Sequence, residues 1–289
     1  MELISVNEEN FDNIIKLKTK AEDQGFVDSP LYSLAECFLD HDHMRAFGIY
    51  DNHVLIGFTS TYFKDDFGQI INFFISDQYQ NKSFGRKAVG ILIDIFENFY
   101  KLDSVSVGVY KDNKGAFDFW TKQGFIDTGN IEGEYIYLRK FLNKIPISKD
   151  LYLVNYFPAY KLSLEWYQDK ETVKMVDNID DVYSIEDLKR MYTYLSKNGD
   201  LYYIVYDDKL VGDCAIFDRN FLAIVIDKNY RNIKIGKKVL AKLIDLGREK
   251  DLDYLQAEIY DFNQASLALF KGKGFKKMKK ELYRLDLWL

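Results

Sequence analysis

The chain has few of the residues that cross-link or ligate: 289 residues include 2 cysteines and 3 histidines. Cys37 and Cys214 are far apart and have no CxxC spacing, which excludes a disulfide framework and a zinc finger. We interpret both as small apolar core residues. The stretch DHDH, Asp40 to His43, has only His53 as a further nearby histidine, so we interpret it as a polar loop and expect no metal site.

Long apolar runs are also absent. No segment approaches the roughly 18 apolar residues of a membrane span, and MELISVNEENFDN lacks the basic and apolar regions of a leader. We therefore expect a soluble cytoplasmic protein without a membrane partner. The net charge of -6 disfavours nucleic acid as a partner and suits a cationic ligand. The basic stretch KGKGFKKMKK, residues 271–280, fits a solvated face.

The chain repeats itself. ISDQYQNKSFGRKAV, from Ile75, matches IDKNYRNIKIGKKVL, from Ile226, and VYKDNKGAFDFWTKQGF, from Val109, matches IYDFNQASLALFKGKGF, from Ile259. Two blocks at nearly one offset predict two copies of one domain. Between them, LNKIPISKD follows a strand-like run and lacks periodicity. We place domain 1 at 1–143, a linker at 144–149 and domain 2 at 150–289, and call the domains the N-terminal and the C-terminal copy.

Each copy alternates predicted helices and strands in a mixed α/β order, with helices over a largely antiparallel sheet. In each, the first repeated block is a turn between a strand and a helix. The unpaired N–H groups of a helix N-terminus make such a turn suitable for a phosphate. Neither GxxxxGK[ST] nor a GxGxxG after the first strand is present, which leaves the pattern [QR]xxGx[GA].

This loop, followed by a strand and N-x-x-[AS]-x-x-[LF]-aromatic-x-x-x-G-F, resembles the GNAT acetyltransferase superfamily. The second motif runs from Asn113 to Phe125 and from Asn263 to Phe275. The resemblance covers nearly the whole chain and implies two tandem GNAT-type acyl-CoA N-acyltransferase domains with a mixed α/β sheet.

The resemblance implies acetyl-CoA (coenzyme A) as the cofactor. Its pyrophosphate would lie on the loop, its pantetheine arm along the preceding strand, and its thiol near Asn113 or Asn263. In the N-terminal copy the implied residues are Phe74, Ile75, Gln80, Asn81, Lys82, Ser83, Phe84, Gly85, Arg86 and Asn113. In the C-terminal copy they are Val225, Ile226, Arg231, Asn232, Lys234, Ile235, Gly236, Lys237 and Asn263.

The N-terminal copy also resembles the bacterial spermine/spermidine N-acetyltransferases, through residues 17–36, the loop and GNIEGEYIYL. Acetyl transfer to an amine needs a base for the ammonium proton and an acid for the departing thiolate. The candidate acidic residues are Glu22, Asp28, Glu36, Asp65 and Glu134. Of these, Glu22, Glu36 and Glu134 rank first because they fall in the polyamine-enzyme segments.

The chain departs from the family pattern at two places. Trp120 and Phe270 occupy the usual tyrosine position and cannot protonate a thiolate, so Tyr110 and Tyr260 are the replacement acids; both also fit simple sheet packing. Asn81, Ser83, Asn232 and Lys234 occupy usual glycine positions. Asparagine tolerates positive φ, whereas the Lys234 side chain would suit phosphate by charge but crowd the backbone.

The sequence favours an N-acetyltransferase that moves acetyl from acetyl-CoA directly to a primary amine of a small molecule, such as a polyamine. A non-catalytic coenzyme A-binding or structural tandem protein, and an antibiotic or peptide N-acetyltransferase, stay open. The N-terminal copy is the better candidate for catalysis. The two domains are expected to pair within the chain, as a monomer or a dimer.

Overall fold

The computed structural model describes residues 1–23 and 25–288. These residues form two compact units, one from Met1–Asp127 and Ile131–Asn143, the other from Thr128–Asn130 and the chain from Lys144 onward. Each unit has its own mixed sheet with helices on both faces. This is the mixed α/β architecture that the repeat predicts.

The N-terminal copy is a seven-stranded sheet in the order β1-β2-β3-β4-β5-β7-β6. Its elements are β1 (Glu2–Ser5), α1 (Phe11–Ile14), α2 (Pro30–Leu39), β2 (Met44–Asp51), β3 (Val54–Lys64), β4 (Phe67–Ile75), α3 (Phe84–Asp94), β5 (Ser104–Tyr110), α4 (Lys114–Lys122), β6 (Ile126–Glu132) and β7 (Tyr135–Phe141). A single turn of π-helix, Ile95–Phe99, extends α3.

Helices α3 and α4 cover one face of this sheet. Val89 and Leu92 of α3 and Trp120 of α4 pack on Val105 and Val107 of β5. On the opposite face, Ile14 of α1 packs on Phe58 and Phe74. Side chains along a strand alternate between these faces, so β4 serves both.

Helix α1 is short. It ends at Ile14, and a single 3-10 turn, Ala21–Asp23, follows an irregular stretch. Within that stretch Thr19 is buried and accepts a hydrogen bond from Gln80 Nε2 at 3.1 Å. A tertiary contact to the loop therefore replaces continued helix.

The C-terminal copy is an eight-stranded sheet in the order β14-β15-β13-β12-β11-β10-β9-β8. Its elements are β8 (Ile145–Ser148), β9 (Leu151–Asn155), α5 (Tyr160–Tyr167), α6 (Lys170–Asp177), α7 (Ile185–Asn198), β10 (Gly199–Tyr206), β11 (Lys209–Phe217), β12 (Phe221–Ile226), α8 (Ile235–Glu249), β13 (Tyr254–Glu258), α9 (Gln264–Lys271), β14 (Lys276–Lys279) and β15 (Leu282–Asp286).

The segment 144–149 is not the linker that the sequence led us to expect. Ile145 and Pro146 pair with Leu153 and Tyr152, so the segment supplies β8, the edge strand of the C-terminal sheet. Ile145 and Ile147 pack against the buried core of that copy. The proline hid this strand in the sequence, because an edge strand tolerates a residue without an N–H donor.

In each copy the two parallel strands next to the loop separate towards their carboxyl ends. Strands β4 and β5 pair only from Phe67 and Ser104 to Ile70 and Val107, although β4 continues to Ile75. Strands β12 and β13 pair only at Phe221 and Gln256. The separation leaves backbone groups of β4 and β12 without a ladder partner on that side.

Candidate functional site

The two loops share an unusual backbone. Asn81 and Ser83 have φ of 60° and 63°, and Asn232 and Lys234 have φ of 64° and 68°. All four residues thus lie in the left-handed region, where a glycine would meet no Cβ penalty. Ser83 and Lys234 are the N-caps of α3 and α8, and neither side chain caps the first amides of its helix, which leaves those amides for a ligand.

Gly85 and Gly236 do not supply a left-handed backbone, since neither has positive φ. A Cβ at Gly85 would lie 3.3 Å from two ring carbons of Phe119, and one at Gly236 would lie 3.3 Å from Ile226 Cδ1. These glycines let the first turn of the helix approach the neighbouring strand and helix. The contact keeps the amides at the carboxyl end of β4 or β12.

The first residue of each loop motif has the same function in both copies. Gln80 Nε2 donates to the Ile75 carbonyl at 3.0 Å and to Thr19 Oγ1 at 3.1 Å. Arg231 donates to the Ile226 carbonyl at 3.1 Å and to Thr172 Oγ1 at 2.5 Å. Each side chain ties the loop to the strand end and to a threonine, which lies in the irregular stretch after α1 in the N-terminal copy and in α6 in the C-terminal copy. Aligning LKTKAED with KETVKMVD pairs Thr19 with Thr172, so a comparison of these two stretches would have identified both threonines.

A cavity adjoins each loop. In the N-terminal copy it measures about 530 Å³ and is lined by every residue expected to hold the cofactor there except Lys82. The Lys82 ammonium donates instead to the Gln78 carbonyl at 2.9 Å. In the C-terminal copy the cavity measures about 630 Å³, and all nine expected residues line it. Sequence reasoning missed Phe119, Thr19, Met175 and Thr172, which also line these cavities.

In the N-terminal copy a second cavity of about 90 Å³ lies between the separated β4 and β5. It shares Phe73, Asn113 and Trp120 with the loop cavity, so the two adjoin. Asp28, Tyr110 and Tyr135 line it as well. A path therefore leads from the loop, past Asn113, to a carboxylate and two phenols.

Tyr110 and Tyr135 form a hydrogen-bonded pair. Their rings lie 4.3 Å apart, and the bond to Tyr110 together with burial raises the pKa of Tyr135. The raised pKa means that the neutral form of Tyr135 is favoured. Tyr110 lines the second cavity beside it.

Asp28 is held by the sheet. Asn72 Nδ2 donates to the Asp28 carbonyl at 2.7 Å and to Ser33 Oγ at 3.1 Å. Burial, and secondly the Asp28 charge, raises the pKa of Glu36 on α2. Glu36 Oε2 is buried and has no hydrogen-bond partner among the described residues. Asp28 and Glu36 thus form an acidic pair on the α2 side of the sheet.

The acids that ranked first in the sequence are not brought together. Glu22 lines the loop cavity, 3.7 Å from the Lys20 ammonium, with 77% of its side chain exposed. Glu134 is exposed in the turn before β7, where its carbonyl accepts from Lys111 N at 3.0 Å. Of the acids ranked first, only Glu36 lies beside Asp28. The sequence analysis named Asp28 as a candidate but did not rank it first.

The corresponding region of the C-terminal copy is filled by tyrosines. Asp213 is 2% exposed and accepts from the Tyr167 hydroxyl at 3.0 Å and the Tyr192 hydroxyl at 2.8 Å. Asp177 accepts from the Tyr183 hydroxyl at 2.8 Å. Tyr260 stacks on Phe262 with ring centroids 5.4 Å apart.

The two asparagines of the family motif share one hydrogen bond and differ in a second. Both cap a helix: Asn113 Oδ1 accepts from Ala116 N at 2.9 Å, and Asn263 Oδ1 from Ser266 N at 3.0 Å. Asn263 Nδ2 also donates to the Met175 carbonyl of α6 at 3.0 Å. For Asn113 Nδ2 the described residues provide no such acceptor.

No helix within residues 1–23 and 25–288 is long and apolar enough to cross a membrane. Across the same residues no group of three or more histidine, cysteine or acidic side chains is arranged to hold a metal ion. In the DHDH loop, His43 Nδ1 instead lies 2.8 Å from Asp40 Oδ1.

Solved structures with a similar fold each cover about half of the chain. One is the PaiA N-acetyltransferase from Thermoplasma acidophilum in complex with coenzyme A, at 15% identity, 48% of this chain, 98% of that chain and TM-score 0.39. Another is a spermidine N-acetyltransferase SpeG chimera from Vibrio cholerae and hSSAT, which is 18% identical, with 49% of this chain and 96% of that chain covered and a TM-score of 0.40. A third is yncA, a putative acetyltransferase from Salmonella typhimurium with its cofactor acetyl-CoA, which is 17% identical, with 48% of this chain and 95% of that chain covered and a TM-score of 0.39.

A search of curated proteins finds no match. The profile of the acetyltransferase (GNAT) family, in contrast, matches twice, at residues 11–125 and 161–275, and together these segments make up most of the chain. Acetyl-CoA is the cofactor of this family. The repeated loop, the separated strands and the two profile matches lead to one conclusion: the chain belongs to the GNAT acetyltransferase family and contains two tandem copies of its domain.

Proposed function

We propose that the chain is an N-acetyltransferase that moves acetyl from acetyl-CoA to a primary amine of a small cationic molecule, with the reaction in the N-terminal copy. The observation that carries the proposal is the path from the loop cavity, between β4 and β5, to Asp28 and Tyr110. It joins a phosphate site to a base and a proton donor within one copy.

The residues of the N-terminal copy fit the cofactor. The uncapped amides of α3, with Arg86 beside them, suit a pyrophosphate, and the unpaired edge of β4 suits an extended amide-containing arm. When bound, acetyl-CoA supplies an acetyl thioester at the separation of the strands. Gly85 preserves the close approach that this placement requires.

The side chains beyond the loop would act on the amine. Because an alkyl ammonium with a pKa near ~10 is protonated at neutral pH, the reaction needs a group that attracts the cation and accepts its proton. Asp28 is exposed and lines the cavity between β4 and β5, and its backbone carbonyl accepts a hydrogen bond from Asn72, so we assign it the base. Glu36 adds a second negative charge when ionised. Tyr110 holds a hydroxyl proton for the departing thiolate.

A polyamine is the preferred acceptor class because its second ammonium could face the second carboxylate. Burial, and after it the charge of Asp28, raises the pKa of Glu36. A cation between the two would relieve this repulsion. A monoamine would use only one of them.

The test is an amine panel with thiol release from acetyl-CoA as the readout. Spermidine and spermine are compared with a monoamine, an aminoglycoside and a peptide N-terminus. We expect turnover with the polyamines at the highest kcat/KM. Preference for the aminoglycoside or the peptide would replace the acceptor class. If none of the amines causes thiol release, the N-acetyltransferase proposal is contradicted.

A further inference from the structure

We propose that the C-terminal copy carries a site for a small organic anion, in a cleft between the turn before β12 and the hairpin of β14 and β15. The cleft measures about 230 Å³, and its charged lining side chains are Arg219, Glu258, Lys279 and Lys280. The described residues that line it all differ from those that line the cofactor cavity of the same copy. The inference goes beyond the proposed function and does not depend on it.

The cleft lies on the face of the sheet opposite α8. Leu255 of β13 is buried in the core that α8 covers, and side chains alternate along a strand, so Gln256 faces the other way. Phe221 pairs with Gln256, and Leu282 pairs with Glu258 two residues further along β13. Paired residues share a face of a sheet, which brings these four side chains together in the cleft.

A β-bulge turns a lysine of the basic stretch into the cleft. Lys277 pairs with the buried Tyr283, and its ammonium lies 5.8 Å from the centroid of that ring, on the α8 face. The register then shifts by one residue, so that Lys279 pairs with Leu282 and Met278 is the extra residue. Because a bulge re-aims the side chains that follow it, two lysines that would otherwise share a face lie on opposite faces.

Gln256 fixes the turn that carries Arg219. Its Nε2 donates to the Arg219 carbonyl at 2.7 Å, and its backbone N donates to the Asn220 carbonyl at 3.0 Å. Gln256 is 8% exposed, so these bonds join the turn to a buried strand. The Arg219 side chain is exposed at the rim of the cleft, on a turn whose backbone is held in place.

The charges in the cleft favour an anion. Three cations line it, whereas Glu258 is the single carboxylate among the described lining residues. Lys280 lies 3.9 Å from Glu281, but within residues 1–23 and 25–288 no carboxylate is at ion-pair distance from Arg219 or Lys279. A guanidinium matches the two oxygens of a carboxylate or phosphate, and a lysine adds a second charge. An oxyanion would therefore meet two cations that have no competing partner.

The rest of the cleft sets the size and character of the ligand. Its volume is below the roughly 300 Å³ of pockets that hold drug-sized ligands, so the ligand is small. Phe221 and Leu282 are half-buried and offer apolar contact beside the cations. The ligand class is thus one carboxylate or phosphate group on a short apolar body. In the N-terminal copy the cavity between β4 and β5 presents Asp28, with no lysine or arginine among its described lining residues.

Calorimetric titration of the full chain with small anions tests the site. Saturating coenzyme A is present throughout, so that the probes do not occupy the loops. Benzoate and phenyl phosphate distinguish the two oxyanions, inorganic phosphate lacks the apolar body, and benzyl alcohol lacks the charge. We expect one equivalent of at least one aromatic anion, weaker binding of inorganic phosphate and no binding of benzyl alcohol.

Three variants locate the binding. Arg219→Gln removes the guanidinium but keeps the backbone carbonyl that Gln256 holds, and the loss of a charge-assisted hydrogen bond should weaken binding by about tenfold or more. Glu258→Gln removes the opposing charge and should strengthen binding several-fold. Lys197→Gln, at an exposed lysine of α7, is the control for net charge and should leave the affinity unchanged.

The inference is overturned if neither aromatic anion binds, if benzyl alcohol or inorganic phosphate binds equally well, or if Arg219→Gln and Lys197→Gln have the same affinity. A short RNA oligomer is titrated in parallel, with hydrogen exchange in the peptides that contain 219–222 and 271–282. RNA binding that protects the whole stretch 271–280, without binding of benzoate or phenyl phosphate, would also overturn it and would identify a surface for polyanions.

Discussion

The two copies keep the same loop and differ on the other face of the sheet. The loop works through backbone: four residues of three types, Asn81, Ser83, Asn232 and Lys234, adopt one conformation. The other face works through side chains, and there Phe58 of the N-terminal copy corresponds to the buried Asp213 of the C-terminal copy. Phe58 pairs with Phe74 and Asp213 with Val225, and each partner is the residue before the last of its strand. The difference teaches that the loop backbone stays the same in the two copies while the side chains of the other face change.

The largest expected effect separates the carboxylates of the two copies. Asp28→Asn removes the assigned base while keeping shape and the backbone carbonyl that Asn72 holds. Because positioned general bases contribute about 10²- to 10⁴-fold, kcat/KM should fall by roughly that factor. The measurement is thiol release with saturating acetyl-CoA, with coenzyme A affinity measured in parallel and expected to stay unchanged.

Two matched variants sharpen this result. Asp118→Asn removes an exposed carboxylate of α4 and controls for net charge. Asp177→Asn removes the carboxylate that Tyr183 binds in the C-terminal copy. Neither should change kcat/KM by more than a few-fold. A large loss in Asp177→Asn together with an active Asp28→Asn would reverse the roles of the copies.

A second effect concerns stability and belongs to the C-terminal copy. Burial raises the pKa of Asp213 to about 7, from 3.8, against the lowering effect of Tyr192 and Tyr167. The folded state then holds a proton that the unfolded state releases, so the free energy of unfolding falls as pH rises from about 4 to about 7 and levels off above. The full change is roughly 4 kcal/mol, and the nearby Asp177, whose pKa burial also raises, acts in the same direction.

Asp213→Asn should remove most of this dependence, because an amide does not ionise and still accepts from a tyrosine hydroxyl. Urea unfolding at pH 4 to 8, with hydrogen exchange in peptides from β10 and β11 to locate the effect, measures it. Asp181→Asn, an exposed acid, is the control. Equal pH slopes for the unmodified chain and Asp213→Asn would show that Asp213 does not titrate in this range.

The sequence predicted the parts that repeat. Two matching blocks sufficed for the two domains and the loop, and nearly all the cofactor residues named from them line the loop cavities, because these depend on local backbone and on motif spacing. It could not rank Asp28 over Glu22, since only the fold brings Asp28 to the cavity that Tyr110 and Tyr135 line. Strand β8 escaped for a related reason: its pairing with β9 and its packing, rather than its own composition, make it a strand.

The smallest expected effect tests the helix caps directly. Aspartate can cap a helix as asparagine does, but it has no N–H to donate. Asn113→Asp should therefore be nearly neutral for stability, since the described residues offer Nδ2 no partner there. Asn263→Asp should cost about 1 kcal/mol or more, because the Met175 carbonyl loses its donor and faces a negative charge. Chemical unfolding of both variants makes the comparison, with hydrogen exchange in α6 as the local readout. Equal costs at the two positions would mean that the contact between Asn263 and α6 contributes nothing, and the C-terminal site would then be as open as the N-terminal one.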